Sequence, residues 1–411
     1  MSIYTDASSI ISAALHAAQP DTAVAQALCQ LPPYAGRLVL IAAGKAAWQM
    51  AAAAHGQLGR KISGGVVITK YGHARGAIGN LEIFEAGHPV PDGNSYRATQ
   101  AAIAAVSELT EHDLVLFLLS GGGSALFEKP LITPEELENI TRQLLACGAD
   151  ITQINTLRKR FSAVKGGRFA RLCAPAQVFS IILSDVLGDP LDMIASGPAY
   201  PDSTTSAQAL AIAEKYHLKL SDAARACLLE ETPKALSNVQ SVVTGSVRQL
   251  CTAAAETAAA LGYAPFVLSN CICCEAREAG SFLASIARYH ADTDKSLAFL
   301  FGGETVVHLT GQGLGGRNQE LALSAARGIA GLENTLIFSL GSDGTDGPTD
   351  AAGGLVDGAS MARLQSLGIQ IDDVLQNNDA YHALQSIDGL ILTGPTGTNV
   401  NDLSVLLIKR P

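Results

Sequence analysis

Apolar residues along the chain gather in runs of strand length that stop abruptly in glycines, hydroxyls and acids, and a stretch with helical spacing often follows. The pattern recurs at 37–47, 113–128, 178–190, 296–307, 334–350 and 389–402, with further strand candidates at 64–72, 81–93, 241–246 and 264–269. These runs are continuously apolar rather than alternating, which is how a strand reads when both its faces are covered. They predict an α/β protein with helices packed closely on parallel sheets. At the start of the chain, Ile10, Ile11, Ala14, Leu15 and Ala18 follow a helical spacing that Pro20 and then Pro32-Pro33 interrupt. The stretch 202–240 is helical in spacing and carries charge, and a domain boundary is placed near 235, giving domains 1–235 and 236–411.

Composition supports that division. A chain of 411 residues exceeds what one core usually serves. With 48% hydrophobic and 16% charged residues there is ample material for buried sheets and none of the signature of disorder. A net charge of −10 argues against gripping a nucleic-acid backbone, and the densest basic stretch is only Arg158, Lys159, Arg160, Lys165 and Arg168. The eight cysteines are scattered apart from Cys271, Cys273 and Cys274. No second CxxC or spaced histidine pair accompanies those three, so buried thiols are expected rather than a metal site. No Lys or Arg precedes Arg37, and no apolar run reaches the roughly 18 residues that span a bilayer. A cytoplasmic protein with free thiols is the expectation.

Open α/β sheets bind ligands beyond the carboxyl ends of their strands, which is where the glycine turns fall. Ser120-Gly121-Gly122-Gly123-Ser124 follows one run, and its backbone N–H groups suit an anion nest. GxxxxGK[ST] is absent, and the first strand is not followed by GxGxxG with an acid about 20 residues on, which weakens a dinucleotide-dehydrogenase reading. Lys45 ends another run and opens a helix, where a cation is disfavoured unless an anion lies near. Asp185 and Asp189 share a turn and could hold Mg²⁺ through water or accept a hydroxyl proton; turn and cap chemistry uses Asp equally. Gly302-Gly303-Glu304 and Arg317 lie close in sequence, and a guanidinium there suits phosphate or carboxylate, or a structural pair with Glu304 or Glu320. Asp343, Asp346 and Asp350 form an acidic loop without the terminal Glu of an EF-hand, leaving Mg²⁺ ligation and a plain Asp/Gly turn as alternatives. The stretch 393–402 reads as closing the final strand, and His88 is the one histidine in a glycine/proline turn. A backbone cradle, cations, acids for Mg²⁺ and a group to orient a hydroxyl are the parts phosphoryl transfer needs.

The segments AAGKAA, GHPVPDGNS, LLSGGGSALFEKP, INTLRKRFSAVKGGR, LSDVLGDPLDMIASGP, FGGETVV, GLGGRNQELAL, SDGTDGPTDAAGG and GPTGTNVNDL run through nearly the whole chain. In that order they resemble the class II glycerate 2-kinases, whose C-terminal part is the MOFRL domain. The resemblance implies a Rossmann-like α/β/α N-terminal domain, a smaller C-terminal α/β (MOFRL-type) domain and an active site in the inter-domain cleft. It implies ATP-dependent phosphorylation of the 2-hydroxyl of D-glycerate with Mg²⁺; the choice of the 2- over the 3-position rests on the resemblance alone. Lys45 and Arg317 fall on catalytic positions and are assigned to substrate as well; His88, from its glycine/proline turn, is a further candidate for substrate contact, with a structural turn histidine as the alternative. Asp185 is the candidate to orient the attacking hydroxyl. Ser120, Gly121, Gly122, Gly123, Ser124, Asp189, Gly302, Gly303 and Glu304 are assigned to the nucleotide, and Asp343 and Asp346 to the metal. Glycerate and ATP are the expected partners, with no nucleic acid and no membrane, and a homodimer is compatible with all of this. The family has also been labelled hydroxypyruvate reductase, so an NAD(P)H-dependent oxidoreductase is the rival enzyme. A sensor of phosphorylated sugar acids is the rival outside enzymes.

Overall fold

The computed structural model describes residues 2–411. They form two compact units, one of residues 23–244 and one that joins 2–22 to 245–411.

The 23–244 unit is built on strands β1 (Leu38–Ala43), β2 (Ile62–Lys70), β3 (Leu81–Ala86), β4 (Leu114–Leu119), β5 (Gln177–Ile182) and β6 (Val239–Val243). Every pairing is parallel, in the order β3-β2-β1-β4-β5-β6. That is the doubly wound order, and its direction of winding reverses between β1 and β4. Both strands at the reversal are buried throughout. Val39, Ile41, Ala43, Val115, Phe117 and Leu119 enter one core. Leu38, Leu40, Ala42, Leu114, Leu116 and Leu118 enter the core on the opposite face. Covering both faces is what makes the runs continuously apolar.

The boundary expected near 235 lies nine residues too early for this unit, because β6 pairs with β5 and the unit runs to Thr244 (244 − 235). The start of the chain also belongs elsewhere. Ile3, Ala7, Ile10 and Ala14 of the helix Ile3–Ala17 share a core with Val247, Leu250 and Ala254 of the helix Val247–Ala260. Buried Asp6 accepts hydrogen bonds from Tyr263 at 2.7 Å and Lys409 at 2.6 Å, which fastens the first helix there.

The other unit carries β7 (Ala264–Ile272), β8 (Leu297–Gly303), β9 (Thr335–Gly341), β10 (Gly353–Asp357), β11 (Leu390–Ile391) and β12 (Asp402–Ile408) in the order β11-β10-β9-β12-β8-β7. Here the expectation of a parallel sheet fails. Only β7 and β8 run parallel; β12 lies antiparallel between β8 and β9, and β10 and β11 continue antiparallel. The stretch 393–402 leads into β12 rather than closing a strand. This arrangement brings the carboxyl ends of β8 and β9 and the amino end of β12 to one edge, where Asp402 sits opposite both Gly303 and Gly341. Cys271, Cys273 and Cys274 are exposed, not buried, because β7 is an edge strand. Among the described residues no helix is long and apolar enough to cross a membrane.

Candidate active site

In the 23–244 unit, the turns after β1 and β4 are laced together at the reversal point. Lys45 N–H donates to the Gly121 carbonyl at 2.8 Å, and Ser120 Oγ accepts from the Ala46 N–H at 3.1 Å. Lys45 stands one residue before Ala46, the N-cap of the helix Ala47–Leu58, and that cap makes no side-chain hydrogen bond. Among the described residues no carboxylate lies within ion-pair distance of Lys45. Gly122 is left-handed at φ 83°, and a methyl group there would lie 3.0 Å from His88 Cδ2 and 3.2 Å from Lys45 Cγ. A methyl group on Gly121 would fall 2.1 Å from an Asp185 carboxylate oxygen. The structure therefore gathers Lys45, His88, the triple-glycine turn and Asp185 into one constellation. Burial first, and then the charge of Lys45, holds the His88 pKa below its ordinary value, which favours a neutral ring. Ser124 Oγ lies 3.2 Å from Ser196 Oγ, which donates to Asn155 at 3.0 Å. Asp189 takes up a left-handed turn conformation at φ 52° with one carboxylate oxygen buried and unpartnered.

A cavity of about 670 Å³ opens beside this constellation, lined by His88, Gly122, Ser124, Tyr96, Glu128 and Arg158 among others. Glu128 and Arg158 were not among the expected site residues. Both lie in segments that carry the family resemblance, and Arg158 also in the basic stretch, where two of three adjacent cations turn out to be structural. Lys159 pairs with Asp202 at 3.0 Å and Asp192 at 3.2 Å, and Arg160 pairs with Glu231 at 3.1 Å.

In the other unit, the polar edge is organised around Arg317 at the start of the helix Arg317–Gly328. Its Nε and Nη2 donate to the two oxygens of Asp402 at 2.5 and 2.9 Å, and Glu304 lies 3.5 Å from Nη1. Of the alternatives for a structural pair, Glu304 is met weakly, while Glu320 pairs with Arg277 at 3.0 Å. The main partner, Asp402, had been read only as the end of a loop. Asp346 caps the same helix: Oδ1 accepts from Asn318 N–H at 3.2 Å and Oδ2 from Gln319 N–H at 2.9 Å. Burial pushes the Asp346 carboxyl up to about 6, helped by the charge of Asp402 and opposed by the two backbone N–H groups and Arg317. Burial likewise raises Asp402, against the pull of Arg317.

Two expected assignments change meaning here. A side chain on Gly302 would strike Val247 and Cys251, and one on Gly303 would strike the backbone of Ile272, so helix and strand packing already explain both glycines. Asp346 is engaged through both oxygens as a helix cap, so of the two acids assigned to a metal Asp343 is the freer. Asp343 is half-buried and accepts from Thr345 N–H at 3.1 Å through one oxygen, which leaves it able to meet a hard cation. Among the described residues no group of three or more His, Cys, Asp or Glu side chains is placed to hold a metal ion.

A doubly wound sheet with a phosphate-type nest, followed by a mixed sheet with an arginine-carboxylate edge, defines a two-unit α/β protein. Residues 6–229 match the family described as a domain of unknown function, DUF4147, and residues 297–402 match the MOFRL family. The D-glycerate 2-kinase of Thermotoga maritima is 51% identical over 405 residues, which covers 97% of each chain. The glycerate 2-kinase of Pyrococcus horikoshii is 41% identical, over 91% of this chain and 88% of its own. A protein of Agrobacterium vitis provisionally named hydroxypyruvate reductase is 41% identical over 97% of this chain and 93% of its own. The crystal structure of the Thermotoga maritima glycerate kinase superposes with a TM-score of 0.94, covering 98% of this chain and 99% of that one. The chain belongs to the class II glycerate 2-kinase family.

Proposed function

We propose that this chain is a D-glycerate 2-kinase, moving the γ-phosphoryl group of ATP to the 2-hydroxyl of D-glycerate and releasing 2-phosphoglycerate and ADP. The observation that carries the reading is the meeting of Lys45, His88, Asp185 and the Gly121–Gly123 turn at the reversal point of the sheet. Full-length kinship with a D-glycerate 2-kinase supports it. The nucleotide phosphates lie on the Ser120–Ser124 turn, against the N–H groups of Gly121, Gly122 and Ser124, since those of Ser120 and Gly123 donate to the Ala43 and Ser120 carbonyls, with Asp189 and the Glu304 edge assigned to the nucleotide as well. Asp185 accepts the proton of the 2-hydroxyl as its oxygen bonds to the γ-phosphorus and the bond to the ADP oxygen breaks. Lys45 stabilises charge on the transferred group, which is the main task in a loose transition state, and Arg317 is the catalytic cation assigned in the other unit. His88, as a neutral ring, contacts substrate. Asp343 would hold Mg²⁺, which would supply neutralisation of phosphate charge. Eight cysteines with no disulfide among them suit a reducing compartment, and we place the enzyme in the cytoplasm.

³¹P NMR of the products of glycerate, ATP and Mg²⁺ tests the reading. A 2-phosphoglycerate signal growing with ADP is expected; 3-phosphoglycerate would overturn the regiochemistry. The names of some relatives favour a second reading, reduction of hydroxypyruvate, which requires NADH absorbance to fall when that substrate is added. Gly122→Ala probes the constellation directly. Its methyl group must take a left-handed backbone and press on His88 and Lys45, and a loss of about tenfold or more in kcat/KM is expected with about 1–2 kcal/mol of destabilisation. Steady-state kinetics and thermal unfolding of the variant check both.

A further inference from the structure

Arg158 differs from its two neighbours in the helix Ile151–Arg160. It lines the cavity beside His88 and the triple-glycine turn, and among the described residues it has no hydrogen-bond or ion-pair partner. Glu128 lines the same cavity and is only 2% exposed. Its Oε2 accepts from buried Lys165 at 2.6 Å, while its Oε1 is buried with no partner. Lys165 is held further by the Phe127 carbonyl at 3.0 Å and cancels the charge of Glu128. Of the other charged residues on the wall, Arg142 pairs with Glu138 at 2.9 Å, Asp92 caps the helix Gly93–Ala105, and Glu135 is exposed to water and its screening. What remains is one unpaired guanidinium and one unpaired carboxylate oxygen in a single cavity. Leaving such an oxygen unpaired is costly, and an unpaired guanidinium offers a fork that fits a carboxylate.

We propose that Arg158 and Glu128 read the acceptor: Arg158 grips the carboxylate of glycerate in a bidentate pair, and Glu128 Oε1 accepts a hydrogen bond from the 3-hydroxyl. This rests on the kinase reading and extends it to regiochemistry. Holding the two ends of a three-carbon acid leaves the middle hydroxyl as the one free to react. It also gives the acceptor a cation other than Arg317, whose fork is filled by Asp402.

The test is steady-state kinetics of Arg158→Met, whose side chain keeps the apolar stem; Glu128, which feels the charge of Arg158, keeps its ion pair with Lys165. The KM for glycerate is expected to rise about 10²-fold, as for the loss of two charge-assisted hydrogen bonds. The KM for ATP should stay within about twofold, since the nucleotide makes no contact with this fork. Preference for glycerate over glycerol, which lacks the carboxylate, should fall by a similar factor, and Arg158→Lys should recover part of it. Glu128→Gln should raise the share of 3-phosphoglycerate in the ³¹P spectrum. An unchanged KM for glycerate in an otherwise active Arg158→Met enzyme overturns the proposal alone. A raised KM for ATP in its place overturns it too, assigning the cavity to the nucleotide. A wild-type enzyme that cannot phosphorylate glycerate overturns the functional reading, and this proposal with it.

Discussion

Lys45→Met is expected to fold like the wild type and to lose about 10³ in kcat/KM for glycerate phosphorylation, most of it in kcat. The backbone of Lys45 is fixed independently of its side chain: its N–H donates to Gly121, and its carbonyl accepts from Thr69 Oγ1 at 3.2 Å. Among the described residues no ion pair to its ammonium group is seen, so the fold does not rest on that charge. The lysine also sits at the electropositive start of the helix Ala47–Leu58, where losing a cation costs the fold nothing and gains it a few tenths of a kcal/mol at most. A residue placed against its own stability, beside a glycine nest and a carboxylate, is accounted for by an anionic ligand. Kinetics and a thermal unfolding curve measured on the same sample check the prediction. A folded variant that loses less than tenfold in kcat/KM would remove Lys45 from the chemistry.

Why Lys45, His88 and Asp185 could be picked out in advance is a matter of topology. In a doubly wound sheet, successive strands deliver their carboxyl ends to one edge, so residues just after continuous apolar runs meet there whatever their separation in sequence. The same rule misleads in the other unit. A run such as that of β12 is continuously apolar because Leu406 and Ile408 face one core and Val405 and Leu407 the other. Two-sided burial says nothing of strand direction, and β12 enters antiparallel. Its first residue, Asp402, therefore reaches the edge occupied by the ends of β8 and β9, and a loop read as closing a strand proves to open one. Arg158 and Glu128 were hidden for another reason. A basic run looks the same whether its members are tied to carboxylates or left unpaired, and only the partners of Lys159 and Arg160 set Arg158 apart. The place of the first helix could not be read either, since its apolar stripe shows that it packs but not on what.

Arg317→Met should behave unlike Lys45→Met, because this cation is part of the fold. Asp402 has a side chain only 6% exposed and relies on both donors of the Arg317 fork, with Asp346 buried nearby. Removing the guanidinium leaves two buried carboxylates without their counter-charge, held only by the N–H groups and side chain at the start of the helix, which should cost about 3 kcal/mol of stability in addition to about 10³ in kcat/KM. The stability deficit has a definite pH dependence. Asp346 titrates in the folded protein near 6, above its ordinary value of 3.8. Between those values the folded state binds more protons than the unfolded state, so stability falls as pH rises through the window and the penalty is complete above it. Loss of Arg317 pushes both carboxyls further up, so the deficit relative to wild type should be small near pH 5 and full at pH 8 in urea unfolding. Arg317→Lys keeps the charge but not the fork, and should recover most of the stability and little of the activity. The double variant Arg317→Met with Asp402→Asn, which removes the orphaned charge, should do the same. If Arg317→Met were as stable as wild type at pH 8 and retained its activity, Arg317 would be neither the counter-charge of this edge nor a participant in phosphoryl transfer.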